Sequence, residues 1–109
     1  MHELSITRDV VALAVERAGG RRVLRVALEI GRLSAVVPEA VRFCFEPCCR
    51  GTAAEGARLE IAEIPGRGRC RGCGREFTLD SPLDCCDCGS MSIDWIDGDQ
   101  LRVKELEVE

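Results

Sequence analysis

The chain has 109 residues, of which 46% are hydrophobic and 31% are charged, a balance that excludes a disordered or low-complexity protein. This length predicts one compact domain, or one domain that carries a small appendage. The formal net charge of -4 argues against a general binder of nucleic acid or of anionic membranes, because such proteins present a strong positive field.

The apolar runs are short. The longest, Val10 to Val15, has six residues, far fewer than the roughly 20 that span a bilayer. The opening Met1-His2-Glu3 lacks the basic and apolar segments of a signal peptide. We therefore expect a cytoplasmic protein whose eight cysteines stay reduced, which favours metal binding over disulfides.

Hydrophobic periodicity predicts two helices and three strands outside a cysteine-rich segment. In chain order they are a helix at 4–18, a strand at 23–30, a helix at 38–48, a strand at 59–64 and a strand at 101–108. Gly19-Gly20 supplies a stop for the first helix, and Pro38 suits the first position of the second. Pro47 predicts that the second helix kinks or ends early. A change of phase in the last strand predicts a β-bulge near Lys104-Glu105.

The composition changes between the last two of these strands, where Cys, Gly and Asp accumulate and apolar residues thin out. The predicted fold is therefore α+β, with two helices on a small, mainly antiparallel three-stranded sheet and an inserted four-cysteine zinc ribbon. The predicted domains are residues 1–65 plus 99–109 for the α+β part and residues 66–98 for the ribbon.

Two C-x-x-C pairs, Cys70 with Cys73 and Cys85 with Cys88, predict a metal site. A glycine follows each pair and suits a turn position with positive φ. Four thiolates from two such turns form a closed tetrahedral site, which is typical of structural zinc. Two disulfides, chance spacing, or iron in the same thiolate cage are the alternatives.

The other cysteines have less specific interpretations. Cys86 lies inside the second pair, where we interpret it as a spare thiol. Cys44 and Cys48 share the apolar face of the second helix and are expected to pack as small hydrophobes. Cys49 lies off that face, which leaves it free to react or to cross-link.

The only histidine of the chain is His2. The free amine of Met1, the amide nitrogen of residue 2 and the imidazole Nδ1 can form fused chelate rings, and the amide of Glu3 or another donor can complete a square plane. Such nitrogen-rich sites suit Ni(II) or Cu(II). The alternatives are a solvated terminal histidine and, for Glu3, a favourable charge at a helix N-terminus.

Several segments together carry a resemblance to a known family. They are Met1-His2-Glu3, Ile30-Gly31, Phe43-Cys44-Phe45, the loop at 50–56 and Cys88-Gly89-Ser90, beside the two cysteine pairs. Over essentially its whole length the chain resembles the hydrogenase maturation nickel metallochaperones of the HypA/HybF family. In one departure, Cys86 stands where the family usually has proline, which puts the rigidity of that turn in question.

The resemblance implies a function. It implies Ni(II) binding at the N-terminus through His2 and nearby backbone nitrogens, tuned by Glu3, and zinc binding through Cys70, Cys73, Cys85 and Cys88. It implies delivery of nickel to the large subunit of NiFe-hydrogenase, together with a HypB-type partner GTPase, and some members also serve urease through its maturation proteins.

Three other functional classes compete with this interpretation. An enzyme is disfavoured because the single histidine is terminal and no phosphate-binding Gly-rich loop is present. A zinc-ribbon nucleic-acid or protein-interaction adaptor could use an arginine cluster beside the first cysteine pair, although many acidic residues share the ribbon; the arginines are Arg67, Arg69, Arg71 and Arg75. A rubredoxin-like electron carrier would hold iron in place of zinc.

Overall fold

The computed structural model describes residues 2–109, and it contains two helices and six strands within that range. In chain order they are α1 (Glu3–Ala18), β1 (Val23–Gly31), α2 (Pro38–Cys49), β2 (Arg58–Ile64), β3 (Gly66–Cys70), β4 (Glu76–Leu79), β5 (Ile93–Asp97) and β6 (Leu101–Val108). The predicted α+β class, with helices on a small sheet and an inserted cysteine-rich ribbon, is confirmed. No helix within residues 2–109 combines the length and apolar character that crossing a bilayer requires.

The two helices pack against each other and against one sheet. Gly19 ends α1 in the left-handed conformation, with φ of 58°, and its N–H donates to the Glu16 carbonyl, as the glycine pair predicts. Pro38 occupies the start of α2, where its missing N–H costs no helical hydrogen bond. The core combines the buried faces of both helices with β1 and with two residues of the connecting loops. Its members are Val10, Val11, Ala14, Ala18, Val23, Val26, Leu28, Ile30, Val36, Val41, Phe45, Cys49 and Ala54.

The first sheet has the order β2-β1-β6, with β1 in the centre. Strand β1 runs antiparallel to β6 and parallel to β2, because α2 carries the chain back between β1 and β2. Ala27 pairs with Glu105 and Leu28 with Val103, so Lys104 is the extra residue of a bulge. The predicted bulge in β6 is therefore confirmed.

The structure adds a detail to β1 and differs from the prediction at the end of α2. A second register shift skips Leu24, between Val23 and Arg25. The shift leaves Leu24 37% exposed and buries Val23, which is 1% exposed. Helix α2 continues past Pro47 to Cys49, so the expected early end is wrong. A proline in the last turn removes only one backbone hydrogen bond, and few hydrogen bonds follow it.

The face of α2 that enters the core also differs from the prediction. Val41, Phe45 and Cys49 are buried at a spacing of four residues, one turn apart along the helix. Cys44 and Cys48 are only of intermediate burial, so neither side chain is fully enclosed in the core. Cys49 is therefore a core residue and not the off-face thiol that the sequence pattern predicts.

The second sheet forms the ribbon and has the order β4-β3-β5, with antiparallel pairing on both sides of β3. Gly66, Gly68 and Cys70 point inward along β3 and alternate with exposed arginines. A Cβ on Gly68 would lie 2.6 Å from Ile93 Cγ2 and 2.8 Å from Leu79 Cδ1. The glycine therefore lets these two side chains close over the strand and form the small core of the ribbon.

Backbone hydrogen bonds join the two sheets where β1 ends. The N–H of Gly31 donates to the Gln100 carbonyl at 2.7 Å, and that of Leu33 donates to the Gly98 carbonyl at 2.7 Å. Arg32 N–H donates to the Ile64 carbonyl at 2.9 Å. The segments that enter and leave the ribbon are thus tied to the end of the central strand.

Candidate metal centre

Four cysteine side chains converge at the tip of the ribbon. The Sγ atoms of Cys70, Cys73, Cys86 and Cys88 all lie within 4.8 Å of one another. Two of the pairs are at 3.6 Å, Cys70 with Cys88 and Cys73 with Cys86. All eight cysteines are free thiols, and 3.6 Å is far longer than the roughly 2.05 Å of a disulfide bond.

These sulfur positions fit a tetrahedral metal ion. A zinc–sulfur distance of about 2.3 Å in a regular tetrahedron places the sulfurs about 3.8 Å apart. The distances of 3.6 Å at Cys70–Cys88 and Cys73–Cys86 are close to that value. An all-thiolate donor set suits zinc or iron and leaves no position for a water ligand.

The first cysteine turn is built around the Cys70 sulfur. The N–H groups of Gly72 and Cys73 point at Cys70 Sγ, at 3.3 and 3.5 Å. Gly74 follows with φ of 79°, a conformation that L side chains rarely adopt. The predicted turn and its glycine are present at this pair, and the structure adds the two N–H···S contacts.

The second cysteine turn differs from the prediction. Cys88 joins the cluster, but Cys86 takes the place that the C-x-x-C spacing assigns to Cys85. Cys86 is 3% exposed, whereas Cys85 is exposed and lines an open groove of about 540 Å³ on the ribbon surface. The turn thus places the Cys86 sulfur inward, beside the other three, and the Cys85 side chain on the surface.

The environment of the cluster separates the acidities of its thiols. The backbone N–H of Cys73 and, more weakly, the Cys88 thiol lower the pKa of Cys70 to about 6, although desolvation acts in the opposite direction. At Cys88 the Ser90 N–H lowers the pKa, but the Cys70 and Cys86 sulfurs oppose it and raise the value to about 12. A thiolate at Cys70 is thus available near neutral pH, and a cation would be needed to ionise the whole cluster.

The arginines beside the cluster are engaged by acidic groups of the same ribbon. Arg69 contacts Glu76 at 2.8 Å, Arg71 contacts Asp94 at 2.8 Å, and Arg75 contacts Asp87 at 2.9 Å. Arg67 lies 3.8 Å from the same Glu76. These ion pairs neutralise the four arginines that a nucleic-acid adaptor would need for phosphate contacts.

The other predicted metal ligands lie at the start of α1. His2 is the N-cap residue of the helix and is exposed, and its imidazole makes no capping hydrogen bond. Its carbonyl accepts the Ile6 N–H at 3.1 Å. The predicted ligand Met1 lies outside the described residues.

Glu3 occupies the first turn of α1, where a negative charge is favourable. A Glu3 carboxylate oxygen lies 3.5 Å from the Val37 N–H, just before α2. The Thr7 hydroxyl donates to the Glu3 carbonyl at 2.6 Å. These contacts tie the first turn of α1, beside His2, to the residue before α2 and to the next turn of its own helix.

Comparison with known proteins gives a consistent family. The model of the HypA family, described as hydrogenase/urease nickel incorporation metallochaperone, matches residues 1–108. The hydrogenase maturation factor HypA of Nostoc punctiforme is 56% identical over 109 residues, which cover 100% of this chain and 96% of that protein. The factor of the same name from Geobacter metallireducens is 56% identical over 110 residues, covering 100% of both chains.

Solved structures show the same fold. The solution structure of the Ni metallochaperone HypA from Helicobacter pylori superposes with a TM-score of 0.70 over 99% of this chain and 97% of that one. Its sequence identity is 24%, so this likeness bears on the fold alone. A second solution structure of a HypA protein superposes with a TM-score of 0.68 at 26% identity, over 100% of this chain.

Proposed function

Because the chain belongs to the HypA family of hydrogenase and urease nickel-incorporation metallochaperones, we propose that it binds Ni(II) at its N-terminus and delivers it to the large subunit of a NiFe-hydrogenase. Family membership confirms the resemblance on which the sequence interpretation rests. It also makes the chain a metallochaperone and maturation factor and not an enzyme.

The position of His2 carries the nickel proposal. An exposed imidazole that caps nothing is free to bind a metal. The first N–H groups of a helix have no intrahelical acceptor, so the amide nitrogens of His2 and Glu3 are not committed to the helix. With the Met1 amine they offer the nitrogen-rich set that suits square-planar Ni(II).

The charge of Glu3 supports the same site. A helix N-terminus carries about half a positive charge, which opposes a cation bound there. The Glu3 carboxylate in the first turn offsets that field, and amide nitrogens that lose their protons on binding nickel would offset it further. We therefore assign Glu3 a tuning role beside His2.

For the ribbon we propose structural Zn(II), held by Cys70, Cys73 and Cys88 together with one thiol of the adjacent cysteines 85–86, which is Cys85 in the predicted C-x-x-C ligand set. The short sulfur distances and the closed donor set support this assignment. The ribbon has few buried apolar residues besides Leu79, so metal binding would supply much of its folding free energy. Residues 66–98 would then form a zinc-ribbon domain, with residues 1–65 and 99–109 as the nickel domain.

The proposed partners are those that the resemblance to the HypA/HybF family implies, and a missing motif of this sequence agrees with one of them. It contains no phosphate-binding Gly-rich loop, so we assign the energy for nickel release to a HypB-type maturation GTPase. The receiving protein is the hydrogenase large subunit, with urease maturation proteins as a second destination. We propose a cytoplasmic location, with no nucleic-acid or membrane partner.

Nickel binding by tag-free, zinc-loaded protein tests the proposal. We expect His2→Ala, and separately an extension of a few residues before Met1, to abolish tight nickel binding in isothermal titration while zinc is retained. Arg8→Ala is the matched control, because Arg8 is exposed on the same helix. Stoichiometric, tight nickel in both altered proteins would refute the N-terminal site.

Metal analysis separates the remaining classes. Purified protein should contain zinc and lack the visible absorption of iron bound by four thiolates. A red, iron-containing protein would instead favour the electron carrier. Appreciable affinity for nucleic acid at physiological salt would favour the adaptor. We expect none, because ion pairs occupy the arginines of the ribbon.

A further inference from the structure

We propose that β6 pairs with β6 of a second copy of this chain, so that two three-stranded sheets join edge to edge around a two-fold axis. The edge that carries this pairing is open in the structure. Within residues 2–109, β6 pairs with β1 on one side and with no strand on the other. An open edge offers backbone N–H and C=O groups to a strand that fits it.

Two hydrogen bonds identify the backbone groups that face this open edge. The Gln100 carbonyl accepts the Gly31 N–H at 2.7 Å, and the Glu109 N–H donates to the Arg22 carbonyl at 3.0 Å, so both ends of β6 point toward the β1 side. Backbone direction alternates along a strand, and the bulge at Lys104 shifts the alternation between the two ends. Counted inward from each end, the residues that point their N–H and C=O groups away from β1 are Leu101, Val103, Leu106 and Val108.

These four outward-facing residues match one another in a single antiparallel register. Placing the two-fold axis at the bulge sets Val103 opposite Leu106 of the second copy and Leu101 opposite Val108 of the second copy. Every outward-facing residue then meets another, which gives about eight hydrogen bonds across the axis. A shift by two residues in either direction sets Leu106 or Val103 against a residue that faces β1.

The side chains agree with the same register. All four outward-facing residues are partly buried hydrophobics that pack against the core, so the pairs across the axis are apolar on the helix side of the sheet. On the opposite side, the exposed Arg102 lies opposite Glu107 of the second copy. At the axis Lys104 lies opposite Glu105 of the second copy. Both are pairs of opposite charge, each formed twice, and such cross-strand pairs stabilise a sheet.

The bulge explains why the partner strand belongs to a second copy. A regular strand cannot stay in register with a bulged strand on both sides of the bulge, and a lysine at an edge opposes pairing with unrelated strands. A second copy has the same bulge at Lys104, and the two-fold axis brings the two bulges together. The irregularity that protects this edge from other strands is thus accommodated when β6 pairs with itself.

A groove beside the edge gives the second copy an apolar contact in addition to the strand pairing. The groove has a volume of about 190 Å³ and lies between α1 and β6. Ile6, Val10 and Leu13 line it from α1, and Leu101 and Val103 line it from β6. The apolar residues that the second copy places opposite these two strand residues lie on the same side of the sheet, so they border the groove and cover it.

Sedimentation equilibrium and amide hydrogen exchange of zinc-loaded wild-type protein test the pairing without any variant. We expect a reversible monomer–dimer equilibrium. The N–H groups of the four outward-facing residues should exchange rapidly in the monomer and become protected as the dimer fraction rises. The N–H groups of Arg102 and Glu107, which face β1, should be protected at every protein concentration.

Two results of these measurements would overturn the proposal. One is a chain that stays monomeric up to about 1 mM protein, which would leave the edge to a strand of a different protein. The other is a dimer in which the four outward-facing N–H groups exchange as fast as in the monomer.

A charge exchange at the two-fold axis tests the register. Lys104→Glu places like charges opposite each other twice and should weaken the dimer by about 10-fold or more. Adding Glu105→Lys restores opposite charges across the axis and should recover most of the lost affinity. Arg8→Glu makes the same change of net charge at an exposed position of α1 and should leave the dimer unchanged. Far-UV circular dichroism checks that each variant keeps the fold.

The outcome of this series decides the register. Weakening by Lys104→Glu alone, with recovery in the double variant, supports the axis at the bulge. Equal weakening by Lys104→Glu and the double variant, equal weakening by Lys104→Glu and Arg8→Glu, or no weakening at all would overturn it.

Discussion

Two glycines, Gly66 and Gly98, pass close to each other where the ribbon joins the first sheet, and this contact allows a quantitative prediction for Gly98→Ala. Gly98 has φ of 97°, and a Cβ there would lie 2.5 Å from Gly66 Cα and 2.6 Å from the Pro65 carbonyl oxygen. Both neighbours are backbone atoms, so no flexible side chain can move aside. The substitution must displace the strand that enters the ribbon from the strand that leaves it.

A second glycine allows the cost of this displacement to be isolated. Gly20 has φ of 91° but has nothing within 4 Å of the position of an added Cβ. Gly98→Ala and Gly20→Ala therefore share a backbone strain of about 1–3 kcal/mol. Only Gly98→Ala adds steric overlap, which costs about 1–3 kcal/mol in well-packed regions.

Urea denaturation of zinc-loaded protein measures this difference. Far-UV circular dichroism follows the whole fold, and the fluorescence of Trp95 in β5 follows the ribbon. We expect Gly98→Ala to lose about 1–3 kcal/mol more free energy of unfolding than Gly20→Ala. Equal losses would refute the close backbone crossing between Gly98 and Gly66.

Three further predictions concern buried groups and the metal. Burial raises the pKa of the Cys49 thiol from 9.0 to about 11. The stabilising contribution of this thiol is therefore full below pH 9 and is lost as pH rises through about 11. The difference in unfolding free energy between wild type and Cys49→Ala should fall over this window and stay constant below it. Arg102→Ala removes the partner of the nearly buried Glu29 carboxylate and should cost about 1–3 kcal/mol in urea denaturation, against about 0.5 kcal/mol or less for Arg50→Ala at an exposed helix pair; similar losses would contradict the difference in burial. Chelation of zinc should raise hydrogen exchange throughout β3, β4 and β5 while α1 and β1 stay protected, and unchanged exchange in the ribbon would show that it folds without metal.

Local periodicity predicts the elements of this fold well because helix and strand patterns depend on short segments of the chain. The glycine stop after α1, Pro38 at the start of α2 and the bulge at Lys104 are all visible in the sequence. The parallel pairing of β1 with β2 is not, because the alternation of a strand carries no information on the direction of its neighbour. The burial of Val23 in place of Leu24 likewise depends on a register shift against a distant strand.

The cysteine cluster shows the same limit at a smaller scale. Spacing alone predicts a four-sulfur site, and the structure brings together Cys70, Cys73 and Cys88 as predicted. The choice between Cys85 and Cys86 depends on the backbone hydrogen bonds of one turn, which decide which neighbour points inward. The sequence does indicate the ambiguity, because two adjacent cysteines in one turn offer two spacings to Cys88, and a thiol at either spacing could reach the ion.

The loop that follows β1 lies between the first ribbon strand and the start of α1. A Cβ on Gly66 would lie 2.8 Å from Leu33 Cγ, so this loop packs directly on the first ribbon strand. The same loop ends at Val37, whose N–H faces the Glu3 carboxylate at 3.5 Å beside His2. Ala35 lies between them with φ of 65°, a conformation that costs a residue with a Cβ about 1–2 kcal/mol.

A strained loop that contacts both the first ribbon strand and Glu3 is a suitable element to have two arrangements, although contiguity alone does not demonstrate coupling. Linkage makes the idea testable, because zinc loading that changes nickel affinity by some factor obliges nickel to change zinc affinity by the same factor. If Ala35→Gly, which relieves the strained φ, left an observed coupling unchanged, the route between the ribbon and Glu3 would have to avoid this loop.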